Sequence, residues 1–175
     1  MPVTVYPKGT TIYKPEICFG GYTLFPYRVR GGPGAVLVDM NGRIAHEWAL
    51  EGSIPRARLL ENGHLLVLRG GKEGAGLEYD WEGNLVWKFP LPGVHHDIFR
   101  KPDGNTLLIC REDPQEVRMQ ASHPQRRAYL HSDFFVEVTP ENEVIWEVHL
   151  CDLLDIERCN PIPASQDWWA GANNN

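Results

Sequence analysis

Gly93-Val94-His95-His96-Asp97 is the stretch of this chain whose residue types and spacing suit chemistry. A neutral imidazole is a nucleophile near neutral pH, and a second ring beside it can donate to charge that develops during a reaction. A neighbouring carboxylate can fix which ring nitrogen carries the proton. The matching place one repeat earlier, Ser53-Ile54-Pro55-Arg56-Ala57, has no histidine. A repeat that leaves its own pattern where a strand begins points to a local task. A plainer role stands beside that one: His95 and His96 bridge strand ends, and Asp97 caps a turn. Neighbouring strand residues point to opposite faces, so the two rings do not readily share an ion. Neither a metal nor a cofactor is expected.

Arg111 and Glu112 close a later strand, either as an anion contact near a pocket or as a surface ion pair of little energetic worth. The candidate catalytic residues are therefore His95 and His96, and the candidate substrate-binding residues are Asp97 and Arg111. The other histidines carry less. His46 aligns with Trp87 and Trp146 in sister repeats, which marks a packing position. His64 follows Asn62-Gly63 at a hairpin and is expected at the surface. His123 and His131 fall in or beside a long connection.

The elements that position these residues follow from a repeat. Val38–Trp48 (VDMNGRIAHEW), Tyr79–Phe89 (YDWEGNLVWKF) and Val138–Val148 (VTPENEVIWEV) each hold an apolar or aromatic run, a turn and an alternating strand. The turns carry Asn41-Gly42, Glu82-Gly83 and Glu141-Asn142, residue types that tolerate positive φ at a hairpin corner. Ala57–Leu68 and Asp97–Cys110 form a second matching pair, with corners at Gly63 and Gly104. Forty-one residues separate Gly42 from Gly83, and 41 separate Gly63 from Gly104. That period holds about four strands, as in a propeller blade.

The expected architecture is all-β: four-stranded antiparallel blades of a β-propeller, in an incomplete ring. Residues 1–34 form an N-terminal extension with one strand, Gly21–Tyr27. Residues 35–150 hold two full blades, near 35–69 and 76–111, and a partial one from about 134. Residues 151–175 form an irregular tail, with a helical turn near Cys151–Ile156. Asp113–Ser132 interrupts the repeat: the spacing from Gly83 to Asn142 is 59, which exceeds 41 by 18, so the third unit follows an insertion of about that size. Insertions of that length on rigid scaffolds are commonly functional. Propellers typically close with four to eight blades. The chain is therefore expected to need further C-terminal blades or a second copy (a homo-oligomer), and to be marginally stable alone.

The totals exclude several classes. The 175 residues are 42% hydrophobic and 23% charged, which is a globular composition. The net charge of −6 argues against a nucleic-acid partner, and the one basic cluster, Arg118, Arg126 and Arg127, sits in the insertion. No apolar run approaches the length of a membrane span, so no membrane partner is expected. The N-terminus shows no export signal, which gives a cytoplasmic location by default. Cys18, Cys110, Cys151 and Cys159 form no CxxC pair, and Cys110 reads as a small core residue. Trp48, Trp87 and Trp146 read as packing anchors between sheets.

Taken in order, GYTLF (21–25), VDMNGRIAHEW (38–48), LLENGHLLVL (59–68), EYDWEGNLVW (78–87), GVHHDI (93–98), PDGNTLLI (102–109) and VEVTPENEVIWE (136–147) resemble the arylsulfotransferase family. The resemblance covers about residues 12 to 150. It implies a six-bladed propeller that moves a sulfuryl group from a phenolic sulfate ester to a phenol, without a nucleotide donor, through a sulfated histidine. Other histidines and an arginine around the channel stabilise charge. The expected partners are an aryl sulfate and a phenol. The family's His-His-Asp segment matches His95, His96 and Asp97. Its D-W-x-H-x-N segment is met only at Asp167-Trp168, which continues Trp169-Ala170-Gly171-Ala172 without the histidine. A non-catalytic propeller module that binds a partner through residues 113–132 is the competing expectation.

Overall fold

The computed structural model describes residues 10, 12–112, 115–118, 127–130 and 132–153. Thirteen strands and one helical turn follow in order among them. Strands β1 (Tyr22–Val29), β2 (Gly32–Asp39) and β3 (Ile44–Ala49) form a first sheet. Strands β4 (Ser53–Leu59), β5 (Leu65–Gly70), β6 (Ala75–Tyr79) and β7 (Leu85–Pro90) form a second. Strands β8 (Val94–Arg100), β9 (Thr106–Arg111), β12 (Asp133–Val138) and β13 (Val144–His149) form a third. A separate hairpin of β10 (Gln115–Arg118) and β11 (Arg127–Leu130) lies within the connection from β9 to β12. The helical turn α1 (Leu150–Leu153) follows β13. Each sheet is antiparallel, with strands in chain order from one edge to the other.

The hairpins are copies of one device. At Asp39–Arg43, Leu60–His64, Asp80–Asn84, Lys101–Asn105 and Thr139–Glu143, the N–H of the first residue donates to the carbonyl of the fifth. The N–H of the fourth donates back to the carbonyl of the first. The fourth residue must sit at positive φ; four are glycines, and the last is Asn142 at 71°. Side chains reinforce all five corners: Asp39, Asn62, Asp80 and Asp103 accept from Arg43 N, His64 N, Asn84 N and Asn105 N, and Thr139 Oγ1 accepts from Glu143 N.

The sheets are cut two strands out of phase with the units expected near 35–69 and 76–111. The second sheet joins the last two strands of the first unit to the first two of the second. A period fixes the length of a repeat but not where the sheet begins, because every 41-residue window holds the same four strands. The single N-terminal strand pairs with β2 over its whole length, Tyr22 to Val29 against Asp39 to Gly32. The first sheet thus has three strands among the described residues, and the other two have four.

Successive sheets stack face to face. Ala35, Leu37, Trp48 and Leu50 of the first pack on Ile54, Leu65, Val67, Ala75 and Leu77 of the second. Leu66 and Leu68, on the other face of the second, pack on Val94, Ile98, Leu108, Val136 and Val138 of the third. The backbones of β1, β4 and β8 run beside one another, while β3, β7 and β13 lie against no strand of another sheet to a comparable extent. The sheets therefore converge on their first strands and splay at their last, as propeller blades do. Three such sheets among the described residues make an all-β, incomplete propeller.

At the splayed edge, the gap between the first two sheets is filled by aromatic side chains. His46 stacks on Trp81 at 4.0 Å and donates from Nε2 to its carbonyl, and Trp48 donates from Nε1 to Asp80 O. His46 is thus a packing residue. Trp87 packs in the second seam, whereas Trp146 is 46% exposed.

Gly76 sets how closely the third sheet approaches. A Cβ there would lie 2.9 Å from Ile98 Cδ1 and 3.0 Å from Leu108 Cδ2. Its counterparts at the same register are Ala35 and Phe135. Gly76→Val is expected to overpack the seam and cost about 1–3 kcal/mol. The urea midpoint should fall with an unchanged slope.

Candidate functional site

Strand β8 lies at the convergent edge, and its pairing with β9 is broken where the histidines stand. Val94 pairs with Cys110 and Ile98 with Leu108, so three residues (His95, His96 and Asp97) span a place where β9 has one. The sister strand β4 is bulged at the same place but holds one residue fewer there, Ser53 pairing with Gly70 and Arg56 with Leu68. The added residue is accommodated by His96, whose φ is 61°. A non-glycine residue in that region is strained, and such strain is more often found at functional sites than elsewhere. The bulge re-aims the side chains on either side of it.

The two rings are thereby treated differently. His95 is largely buried and its Nε2 donates to Asp133 Oδ1 at 3.0 Å, which holds the ring proton on Nε2. Its Nδ1 is enclosed without a hydrogen-bond partner among the described residues. His96 is exposed, and its ring meets the His95 ring edge to face at 4.6 Å. His96 is the accessible imidazole of the pair.

Asp97 turns to the neighbouring blade. Arg58 donates to both its carboxylate oxygens, at 2.7 Å from Nη2 to Oδ2 and 3.3 Å from Nε to Oδ1. Arg56 approaches Oδ1 at 3.1 Å and donates to the His96 carbonyl at 3.3 Å. Partial burial opposes ionisation of Asp97. The hydrogen bonds from Arg58 and from Ile98 N, with the charges of both arginines, outweigh it and hold the carboxyl below its ordinary range. Two guanidinium groups, each partly exposed, therefore stand beside the His96 backbone with one carboxylate between them. Neither arginine was singled out from the sequence. The signal was present, since Arg56 sits in the very segment that aligns with the histidines.

Arg111 is exposed at the end of β9. Its N–H donates to Gly93 O, and it stands opposite Asp133 in the ladder, one strand from the residue that holds His95. Its sequence neighbour Glu112 is not a surface group: it is buried and hydrogen-bonded to His149 and Cys151. Burial works against its charge, yet those bonds hold its carboxyl below the usual range, and His149, between Glu112 and Glu147, is raised. Cys110 is buried, its thiol pushed up to about 11, chiefly by desolvation; it is inert packing. His64 is half-buried rather than on the surface, with Nδ1 2.7 Å from Glu78. His123, His131, Cys159, Asp167-Trp168 and the tail from residue 154 lie outside the described residues. No group of three metal-binding side chains occurs among the described residues.

A family model, arylsulfotransferase (ASST), matches residues 27–174. The chain belongs to the arylsulfotransferase family. No curated protein matches it. A solved structure of a protein of unknown function from Bacteroides caccae is similar at 22% identity over 75% of this chain, with a TM-score of 0.41. The chain spans 58% of the length of that protein. Within the family frame, the exposed His96, the anchored His95 and the two arginines share the convergent edge of the blades.

The Asp97 bridge generates a pH prediction. Its carboxyl is depressed in the folded state, so its contribution is present above the unfolded value, near 3.9. It is lost as pH falls through the lower folded value. Asp97→Asn should cost about 1 kcal/mol at pH 7, discounted for partial exposure. The gap between variant and wild type in urea unfolding should close progressively below about pH 4.

Proposed function

We propose that this chain serves an arylsulfotransferase that moves a sulfuryl group from a phenolic sulfate ester to a phenol, with His96 as the group that carries it. The observation that bears most weight is the accessible His96 imidazole on a strained bulge, within a family whose model covers most of the chain. His95 is the second imidazole, fixed by Asp133 so that its ring backs the His96 ring.

The transfer balances in two steps. A lone pair on a neutral His96 nitrogen forms an N–S bond, the S–O bond to the aryl group breaks, and its electrons leave on the phenolate. The acceptor phenol gives its proton, through solvent, to the phenolate released in the first step, and its oxygen forms a new O–S bond. The N–S bond breaks and its pair returns to the imidazole. Negative charge grows on the sulfuryl oxygens and on the leaving phenolate, so cationic donors beside His96 lower the barrier. Arg56 supplies one, oriented by Asp97, and Arg111 supplies an anion contact from the adjoining strand. Asp97 acts on substrate through the arginines it holds. No cofactor takes part in these steps.

The test is release of 4-nitrophenol from 4-nitrophenyl sulfate in the presence of a phenol acceptor, with mass analysis of the His96 peptide after a quench without acceptor. His96→Gln should lower kcat/KM by at least about 10³-fold, the scale for removing a nucleophile. Asp133→Asn should lower kcat by a smaller factor. A sulfated peptide at His95 and none at His96 would reassign the nucleophile. Absence of turnover by folded wild-type protein would sink the reading for this chain.

A further inference from the structure

Asp133 fixes His95, and the residues on either side of Asp133 are held by one ionic cluster. Ser132 is buried, and its carbonyl accepts from Glu112 N at 3.0 Å. Phe134 stacks on the His149 ring at 5.2 Å. Glu112 and His149 are hydrogen-bonded to each other, so the pair brackets Asp133 from just past β9 and from the end of β13. Both ring nitrogens of His149 face carboxylates: Nδ1 meets Glu112, and Nε2 lies 2.7 Å from Glu147 Oε1. An ionised carboxylate can only accept, so each nitrogen carries a proton and the ring is an imidazolium while both bonds are made. The other groups at the cluster are Phe134 on β12 and, on α1, Cys151 and Asp152. The Cys151 thiol donates to Glu112 Oε2 at 3.3 Å. Arg111 immediately precedes Glu112.

The repeat supplies the control. Val136 pairs with Leu108 and Glu147, as Leu77 pairs with Val67 and Lys88 in the second sheet. Counted from that register, Gly71, Gly74 and Pro90 stand where Glu112, Asp133 and His149 stand. In the first sheet, by the same count from Val36, the positions are Val29, Pro33 and Ala49. Neither sister sheet places an ionisable group at any of the three. The second sheet closes this end with a tight turn, Gly74 N donating to Gly71 O. The connection from β9 to β12 is longer, but the backbone bond from Glu112 to Ser132 closes its base without the Glu112 side chain. The cluster thus belongs to the sheet that carries His95 and His96, and it surrounds the residue that anchors His95.

We propose that Glu112 and His149 are positioning residues: the pair holds Asp133 against His95 while His149 is charged, and releases it when His149 loses its proton. A neutral ring keeps only one of its two bonds, and the buried Glu112 then faces no charge on it. A buried carboxylate deprived of its cationic partner is costly, so the strand end that carries Ser132 and Asp133 loosens. His95 is then free to turn, and the ring behind His96 is no longer fixed. The hydrogen bonds to Glu112 and then to Glu147 raise the His149 pKa, and partial desolvation opposes them more weakly. The hold is therefore complete below the unfolded value, about 6.5, and is lost as pH rises through the higher folded value. The effect on turnover rests on the sulfuryl-transfer reading; the coupling of His149 to His95 does not.

The coupling is read in proton–nitrogen correlation spectra of the histidine rings of the whole chain, with Asp133→Ala as the reference for a released His95. As pH rises from about 6 to about 9, the His95 Nε2 resonance should move to its Asp133→Ala value, with the midpoint of the His149 titration. His149→Arg keeps the charge and should hold that resonance still over the same range. His149→Gln should show the released value throughout; if it does not fold, the wild-type titration and His149→Arg decide. With 4-nitrophenyl sulfate and a phenol, kcat should fall about tenfold along the same curve with KM unchanged, a scale set by misplacement near the reacting group. That fall should be absent in His149→Arg. A His95 resonance indifferent to the charge at position 149, or the same alkaline change in His149→Arg, would overturn the inference. If the resonance follows His149 while 4-nitrophenyl sulfate is not turned over, the coupling stands and the sulfuryl-transfer reading falls.

Discussion

Strand β5 is buried on both faces, and the rest of the structure follows from how that is achieved. Leu65 and Val67 point into the first seam, Leu66 and Leu68 into the second, and all four are fully buried. A strand that alternates leucine and valine without a polar face cannot rest on a single layer, because each face must leave water. Twisted sheets stacked on both sides of it, each turned relative to the last, meet along one edge and open along the other. The convergent edge is where polar side chains on the first strands of successive sheets come within reach of each other.

That edge explains why the candidate site is a seam and not a pocket within one sheet. Edge strands carry backbone groups without ladder partners, and bulges are favoured there. Both β4 and β8 are bulged at the same height. The β4 bulge presents Arg56, the β8 bulge presents His96, and Asp97 ties the two blades together through Arg56 and Arg58. His95 is tied in turn to Asp133, at the start of a strand reached only after the β10–β11 hairpin. One imidazole is thus left open while His95, Asp97 and the two arginines beside it are held by hydrogen bonds and ion pairs.

Much of this was legible in the residues themselves. Gly42, Gly63, Gly83 and Gly104 announce hairpin corners because few other residues take their φ, and their even spacing carries the blade period. His46 was recognisable as packing because tryptophans hold its sister positions. Three things were not legible. The phase of the sheets was hidden because the period is the same wherever it is cut. The extra residue in β8 was hidden because an alignment that treats Gly93–Asp97 and Ser53–Ala57 as equal in length absorbs it. Asp133 as the partner of His95 was hidden because a side-chain contact across 38 residues, and over the strand between them, has no local signature. Glu112 shows the opposite error: beside Arg111 it looks like half of a surface pair, but the strand end turns it inward to His149.

The repeat also shows what the outer face of the third sheet is built for. Leu107, Ile109, Phe135, Trp146 and Val148 occupy there the register positions that Leu66, Leu68, Gly76, Trp87 and Phe89 occupy in the second sheet. In the second sheet those positions lie against the third sheet, and the leucines are fully buried. In the third sheet the same set is only partly buried, and Trp146 is exposed. A large aromatic side chain on a sheet face gains little from water contact and several kcal/mol from a covering layer, by roughly 25 cal/mol per Å² of apolar area. Phe135 in place of Gly76 means that a layer on this face must stand farther off, or carry smaller side chains opposite it, than the seam between the second and third sheets. The face therefore has the chemistry of a blade interface and dimensions of its own.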